Sequence, residues 1–266
     1  MIEFHYAQFQ QLLFLYAMPA ARILAFVSVA PIWGTGGLPL RVRLFLGLAL
    51  SFFVAPIIAE TKFVSLNSML DVLSMQIFIG IAMGLSMRLV FGAIDVAGEY
   101  IGYQMGLGFA TFYDPIDSSQ TPVMSEFLTL MAILLFFAIN GHYLYLEALI
   151  KSFHLLPLTP LSVLKTQSIW HIVHLASLMF SFGLLLALPI VATILMLNTT
   201  LAILTRAAPQ LNIFALGFPI TLLGGFFLLA LGLSDMQAMM TVIFEKALES
   251  ILSFIPRSTS NFFENS

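Results

Sequence analysis

The chain has 266 residues, 60% of them hydrophobic and only 9% charged, and its mean hydropathy of +1.02 lies well outside the balance of a water-soluble domain. A net charge of −3, with ten Lys and Arg scattered singly, excludes a nucleic-acid surface, since isolated cations cannot neutralise a row of phosphates. The complete lack of cysteine excludes disulfides, thiolate metal sites and thiol nucleophiles.

Charged residues are spaced so that 23–40, 44–59, 72–87, 127–146, 166–205 and 207–234 carry none. A bilayer core takes about 20 apolar residues per helix, so these runs predict an all-α polytopic membrane protein with about six membrane-depth segments. The N-terminus, Met1-Ile2-Glu3-Phe4-His5, lacks the basic start and small-residue cleavage site of a secretory signal, so the first apolar segment is expected to be retained. Segment one, about 12–32, is interrupted by Pro19 and Arg22 and ends in the turn-rich stretch from Pro31 to Pro39. Arg41 and Arg43 open segment two, about 44–59. Segment three starts near Met69 and meets no breaker before Gly106. A loop to Pro122 follows, then segment four, about 127–150, and a link through Pro157 and Pro160. Segment five, about 175–204, contains Pro189, which removes a backbone donor and predicts a kink or break. Segment six covers about 213–233. A last helix, about 235–253, sets Gln237, Thr241, Glu245 and Glu249 opposite Met236, Met240, Ile243, Ala247 and Ile251, the pattern of an amphipathic helix with one wet face. In outline, 1–150 holds the first helical hairpins, 151–255 the later ones with the amphipathic helix, and 256–266 a polar, flexible tail, all within a single membrane domain. Assigning loops alternately puts five Lys and Arg on one side and four on the other, which fixes no orientation.

Enzyme signatures fail. His171 and His174 form H-x-x-H without the glutamate or the spacing of a zinc-protease helix. Gly84-Leu85-Ser86-Met87-Arg88 begins like a nucleophile elbow but ends in Arg where Gly is needed. Neither an active site nor a cofactor is expected.

Two other patterns carry the reading. At 100° per residue, Gly84, Arg88, Gly92, Asp95, Glu99, Gly102 and Gly106 lie within about 40° of one line along segment three. Such a small, charged stripe should not meet lipid, where a single charge costs about 2.5–3.5 kcal/mol even on lenient scales. It serves either internal packing, with Arg88 paired to Asp95, or contact with a neighbouring subunit or a wet lumen. The second pattern is Gly106-Leu107-Gly108-Phe109-Ala110-Thr111-Phe112-Tyr113-Asp114-Pro115. Two glycines give backbone freedom and three aromatics give bulk. The segment is either an aqueous loop or an apolar plug that stops ion flow by excluding water.

The chain also resembles the export-gate proteins of flagellar type III secretion and their virulence-type relatives. The resemblance rests on Arg22-Ile23-Leu24 with Ala30-Pro31, on Leu38-Pro39-x-Arg41-Val42-Arg43 followed by Gly47-Leu48-Ala49-Leu50, and on Gly98-x-x-x-Gly102 leading into Met105-Gly106-Leu107-Gly108-Phe109. It continues through Asp114-Pro115, Asn140-Gly141-His142, Phe153-His154-x-x-Pro157, Pro189-Ile190, and Arg206-Ala207-Ala208-Pro209-Gln210-Leu211-Asn212 with Gly217-Phe218-Pro219. It implies a helical ring of hairpins raised largely out of the membrane plane, in which one copy of this subunit joins several copies of two smaller sister subunits. In such a gate at the flagellar basal body, in the bacterial inner membrane, unfolded flagellar proteins pass through the lumen and the stretch matching 106–122 plugs it. Other export-apparatus membrane proteins are implied as neighbours. A small-solute secondary transporter, a scaffold whose pore belongs to its partners, and a virulence-type gate are the competing readings.

Overall fold

The structure, a computed structural model, describes residues 6–34, 38–58, 66–108, 122–156, 166–208 and 213–254. Among them every regular element is helical: α1 (Tyr6–Val29), α2 (Pro31–Gly34), α3 (Leu40–Val54) with a 3₁₀ turn (Ala55–Ile58), α4 (Leu66–Gln104), α5 (Val123–Ala138), α6 (Gly141–Leu155), α7 (Thr166–Ala207) and α8 (Ile213–Phe254). Pro39 and Pro122 stand just ahead of α3 and α5, where the missing N–H breaks no helical bond.

The expected boundaries need four corrections. Segment four is two helices, because Ile139 leaves helical geometry and Asn140 takes φ 57, which ends α5 before α6 begins. Segment six and the amphipathic helix are one 42-residue helix, α8, since the change from apolar to charged composition at Asp235 removes no backbone bond. Helical backbone also runs unbroken through Pro189 in α7, where Thr193 Oγ1 donates 2.8 Å to the Pro189 carbonyl. Finally, among the described residues three helices rather than about six are long and apolar enough to cross a bilayer, Met69–Gln104, Val173–Ala207 and Gly217–Glu249, or up to four if the bent α5–α6 pair counts as one span.

The chain divides into two compact units. The first comprises Met1–Leu89, Gly141–Leu175 and Lys246–Ser266. Within it α1 lies close against α4, because Gly80 and Gly84 have no side chain to hold the helices apart: a Cβ at Gly80 would overlap the Arg22 carbonyl, and one at Gly84 would come 2.9 Å from the Phe26 carbonyl. Met18, Phe26, Met75, Ile79 and Met83 fill this core.

The second unit comprises Val90–Asn140 and Ala176–Glu245. Its centre is a ring cluster of Phe91, Phe136 and Phe244, with centroids 5.2–5.9 Å apart. Gly183 of α7 sits on the Ala93 carbonyl of α4, where a Cβ would lie 2.7 Å away. The amphipathic pattern of the α8 end holds, with Met236, Met240, Ile243 and Ala247 buried and Gln237, Glu245 and Glu249 exposed.

Candidate functional site

The α4 stripe does not behave as one surface. Its glycines serve internal packing: Gly84 meets α1, Gly92 meets Met179, and Gly102 faces the Met124 side chain, with 3.4 Å between a Cβ there and that of Met124. Arg88 and Glu99 are exposed. Asp95 is half-buried and takes neutral partners on α5, where the hydroxyls of Ser125 and Thr129 both donate to Oδ1. The Arg88–Asp95 pairing weighed from the sequence is therefore replaced by hydroxyl donors. Gly98 makes this possible, since a Cβ there would overlap the Ser125 backbone, and the close approach carries the Ser125 hydroxyl onto the Asp95 carboxylate and carbonyl. Ser125 and Thr129 were missed in the sequence. Their i,i+4 spacing, one helix turn after Pro122, was the available signal.

At the far end of α4, Met105 is fully buried in the second unit, and its side chain fills the notch at Gly225, where a Cβ would be 2.5 Å from Cγ. Thr221 Oγ1 lies 3.4 Å from the Met105 carbonyl and shares its proton between that oxygen and the nearer Phe218 carbonyl of its own helix, at 3.0 Å. Gly106 follows with φ 84, a left-handed value that glycine adopts without strain, and ends the helix. Leu107 and Gly108 form a short 3₁₀ turn against Tyr103. Phe109, Ala110, Thr111, Phe112, Tyr113, Asp114 and Pro115 lie outside the described residues.

In the first unit Arg22 is fully buried and organises three helices. Its Nε donates to Gln76 Oε1 of α4 at 2.8 Å, Nη1 to Ser152 Oγ of α6 at 3.0 Å, and Nη2 to the Leu156 carbonyl just past α6 at 2.8 Å. The guanidinium lies over the Phe153 ring, 4.1 Å from its centroid. Arg43 Nε donates to the Leu38 carbonyl at 3.0 Å, while Arg41 is exposed. Pro31 starts α2, Gly141 is buried at the start of α6, and the His142 ring lies 4.1 Å from that of Tyr143. Arg206 sits in the last turn of α7, favourable for the helix dipole, and Pro219 lies within α8. Pro209 and Asn212 fall outside the described residues. Among the described residues no three His, Asp or Glu side chains gather into a group that could hold a metal ion.

Long apolar helices, Arg22 and Asp95 met by polar groups of other helices, and glycine notches that set helix spacing together define a polytopic helical membrane protein. The chain belongs to the family described as "Bacterial export proteins, family 1", which matches residues 13–247. It is 40% identical over 230 residues to the flagellar biosynthetic protein FliR of Escherichia coli, covering 86% of this chain and 85% of that one. Against the FliR of Pectobacterium carotovorum it is 37% identical over 244 residues, 91% and 93% of the two chains. Against that of Bacillus subtilis it is 24% identical over 237 residues, 88% and 92%. The sequence resemblance to flagellar export-gate proteins is thereby met by family membership.

Proposed function

We propose that this chain lines and plugs the channel through which unfolded flagellar proteins leave the cell. As a member of the export family with FliR relatives, it is a subunit of the flagellar type III export apparatus in the bacterial inner membrane, at the basal body. The finer role is supported by one observation above others. After 39 helical residues α4 stops at Gly106, and the residue before it is held on α8 through Thr221 and the Gly225 notch. A stretch that carries Phe109, Phe112 and Tyr113 thus leaves from a fixed point in the fold, which suits an apolar obstruction better than a slack connector. The exposed Arg88 and Glu99 fit a wet lumen or a neighbouring subunit.

The partners in this reading are the two smaller sister subunits, in several copies, with other export-apparatus membrane proteins around them. The role is mechanical, a conduit and its closure, with no bond made or broken by this chain. Deleting 107–121 in the assembled gate is expected to make the membrane leak ions. Unchanged conductance in the presence of the sister subunits would overturn the plug while leaving membership of the apparatus intact.

A further inference from the structure

In the first unit, α1, α3 and α4 enclose an open cavity of about 380 Å³, within the range of small-ligand sites. Its wall is apolar, formed by Leu24, Val27, Leu40, Leu44 and Ile77 among others, apart from Ser28 and a single charged group, Arg43. The Ser28 hydroxyl is turned to the Ala25 carbonyl of its own helix, 2.8 Å away. Arg43 is held in the wall by its Nε bond to the Leu38 carbonyl, and among the described residues no carboxylate lines the cavity. Arg41, two residues earlier, is exposed.

Beyond the cavity the outer side of α3 continues as an apolar strip. Phe45 is 76% exposed, Leu48 55% and Phe52 64%, and no charged residue follows Arg43 before the helix ends. Ser51, the polar residue of this stretch, is buried and bonds to the Gly47 carbonyl at 2.6 Å. From Arg43 to Phe52 the helix rises about 14 Å. That is close to the roughly 15 Å of hydrocarbon in one leaflet of a bilayer whose core measures about 30 Å. α3 is thus too short to span, but it has the length, the outer face and the single-ended positive charge of a half-bilayer helix.

We infer that this groove binds an anionic glycerophospholipid, its phosphate held by Arg43 and Arg41 and its acyl chains lying in the cavity and along Phe45, Leu48 and Phe52. Charge complementarity selects a lipid over a partner helix. The cavity wall sets the cationic Arg43 among apolar side chains, and the outer side of α3 continues with about one leaflet's depth of hydrocarbon, the profile of a phospholipid, whereas a helix would present side chains all round and need a carboxylate placed at one point.

The assembled export complex containing the full chain, reconstituted in nanodiscs of phosphatidylcholine doped with phosphatidylglycerol, tests this by native mass spectrometry of retained lipid and by photocrosslinking from position 28. Wild type is expected to retain phosphatidylglycerol preferentially and to crosslink to acyl chains. Arg41→Gln with Arg43→Gln should lower the enrichment about thirtyfold and each single change about fivefold, while the paired Lys variant should keep most of it. Arg41→Gln replaces an exposed side chain and so reads the site even if the double variant folds poorly. Equal retention of the two lipids by wild type, an enrichment unchanged in the Gln variants, or crosslinks from position 28 to protein alone would each overturn the inference.

Discussion

Arg22 ties α1, α4 and α6 of the first unit together, and it does so without a counter-ion among its bonded partners. Its three donors go to an amide, a hydroxyl and a backbone carbonyl, and the carbonyl belongs to Leu156, just past the end of α6. Unsatisfied carbonyls give a helix C-terminus about half a negative charge, so the guanidinium is neutralised in part by the α6 dipole. The Gln76 amide, also buried, uses its oxygen for Arg22, and among the described residues its Nε2 has no partner. Arg22→Ala would orphan three acceptors and leave a cavity, and is expected to lower stability by about 3 kcal/mol or more. Arg22→Lys keeps the charge but cannot reach three directions from one plane, so it should recover less than half of that loss. Denaturant unfolding of the purified chain in detergent measures both, and a Lys variant as stable as wild type would show that charge alone matters. The sequence marked Arg22 as an oddity in an apolar segment. Its partners, 54 to 134 residues away, leave no local pattern to read.

At the scale of the element, the charge-free apolar runs located most helices, but the same composition misled about where they end. A charge-free run from 127 to 146 looks like one span, yet the chain turns at Asn140, whose φ of 57 lies in the left-handed region. Asn tolerates that geometry better than other side-chain-bearing residues, and Gly141 follows it, so the signal was the Asn-Gly pair rather than hydropathy. Asn140→Gly should leave stability within about 0.5 kcal/mol, whereas the β-branched Asn140→Val should cost about 1–2 kcal/mol. The same unfolding measurement separates them, and equal losses in both would mean that the Asn side chain, rather than the backbone angle, sets the bend. The α4 stripe shows the converse. Its glycines were legible because small residues at spacing three and four imply close approach, but which helix each one meets depends on long-range packing. Asp95 belongs to a hydroxyl pair on α5 that only the fold brings within reach.

Over the whole molecule, the three candidate spans differ in how far the chain itself covers them. The α4 span is 61% buried within the fold, but the α7 and α8 spans are only 28% and 22% buried. Exposed apolar surface on that scale is covered by lipid or by other polypeptide when the protein works. The two covers give different chemistry at the same positions. The native chain has no cysteine, so single cysteines at Leu195 or Met196 of α7, which are 55% and 71% exposed, report without background. In the isolated chain in detergent micelles, where water reaches the exposed thiols and lets them ionise, both positions should react with a maleimide, while a cysteine at the fully buried Ala97 of α4 should not. With the sister subunits assembled around it in the same detergent, the α7 positions should lose at least about 90% of their labelling, since a packed protein interface excludes both water and probe where a micelle admits them. Labelling that stays the same on assembly would assign this face of α7 to lipid and move the subunit contacts elsewhere on the fold.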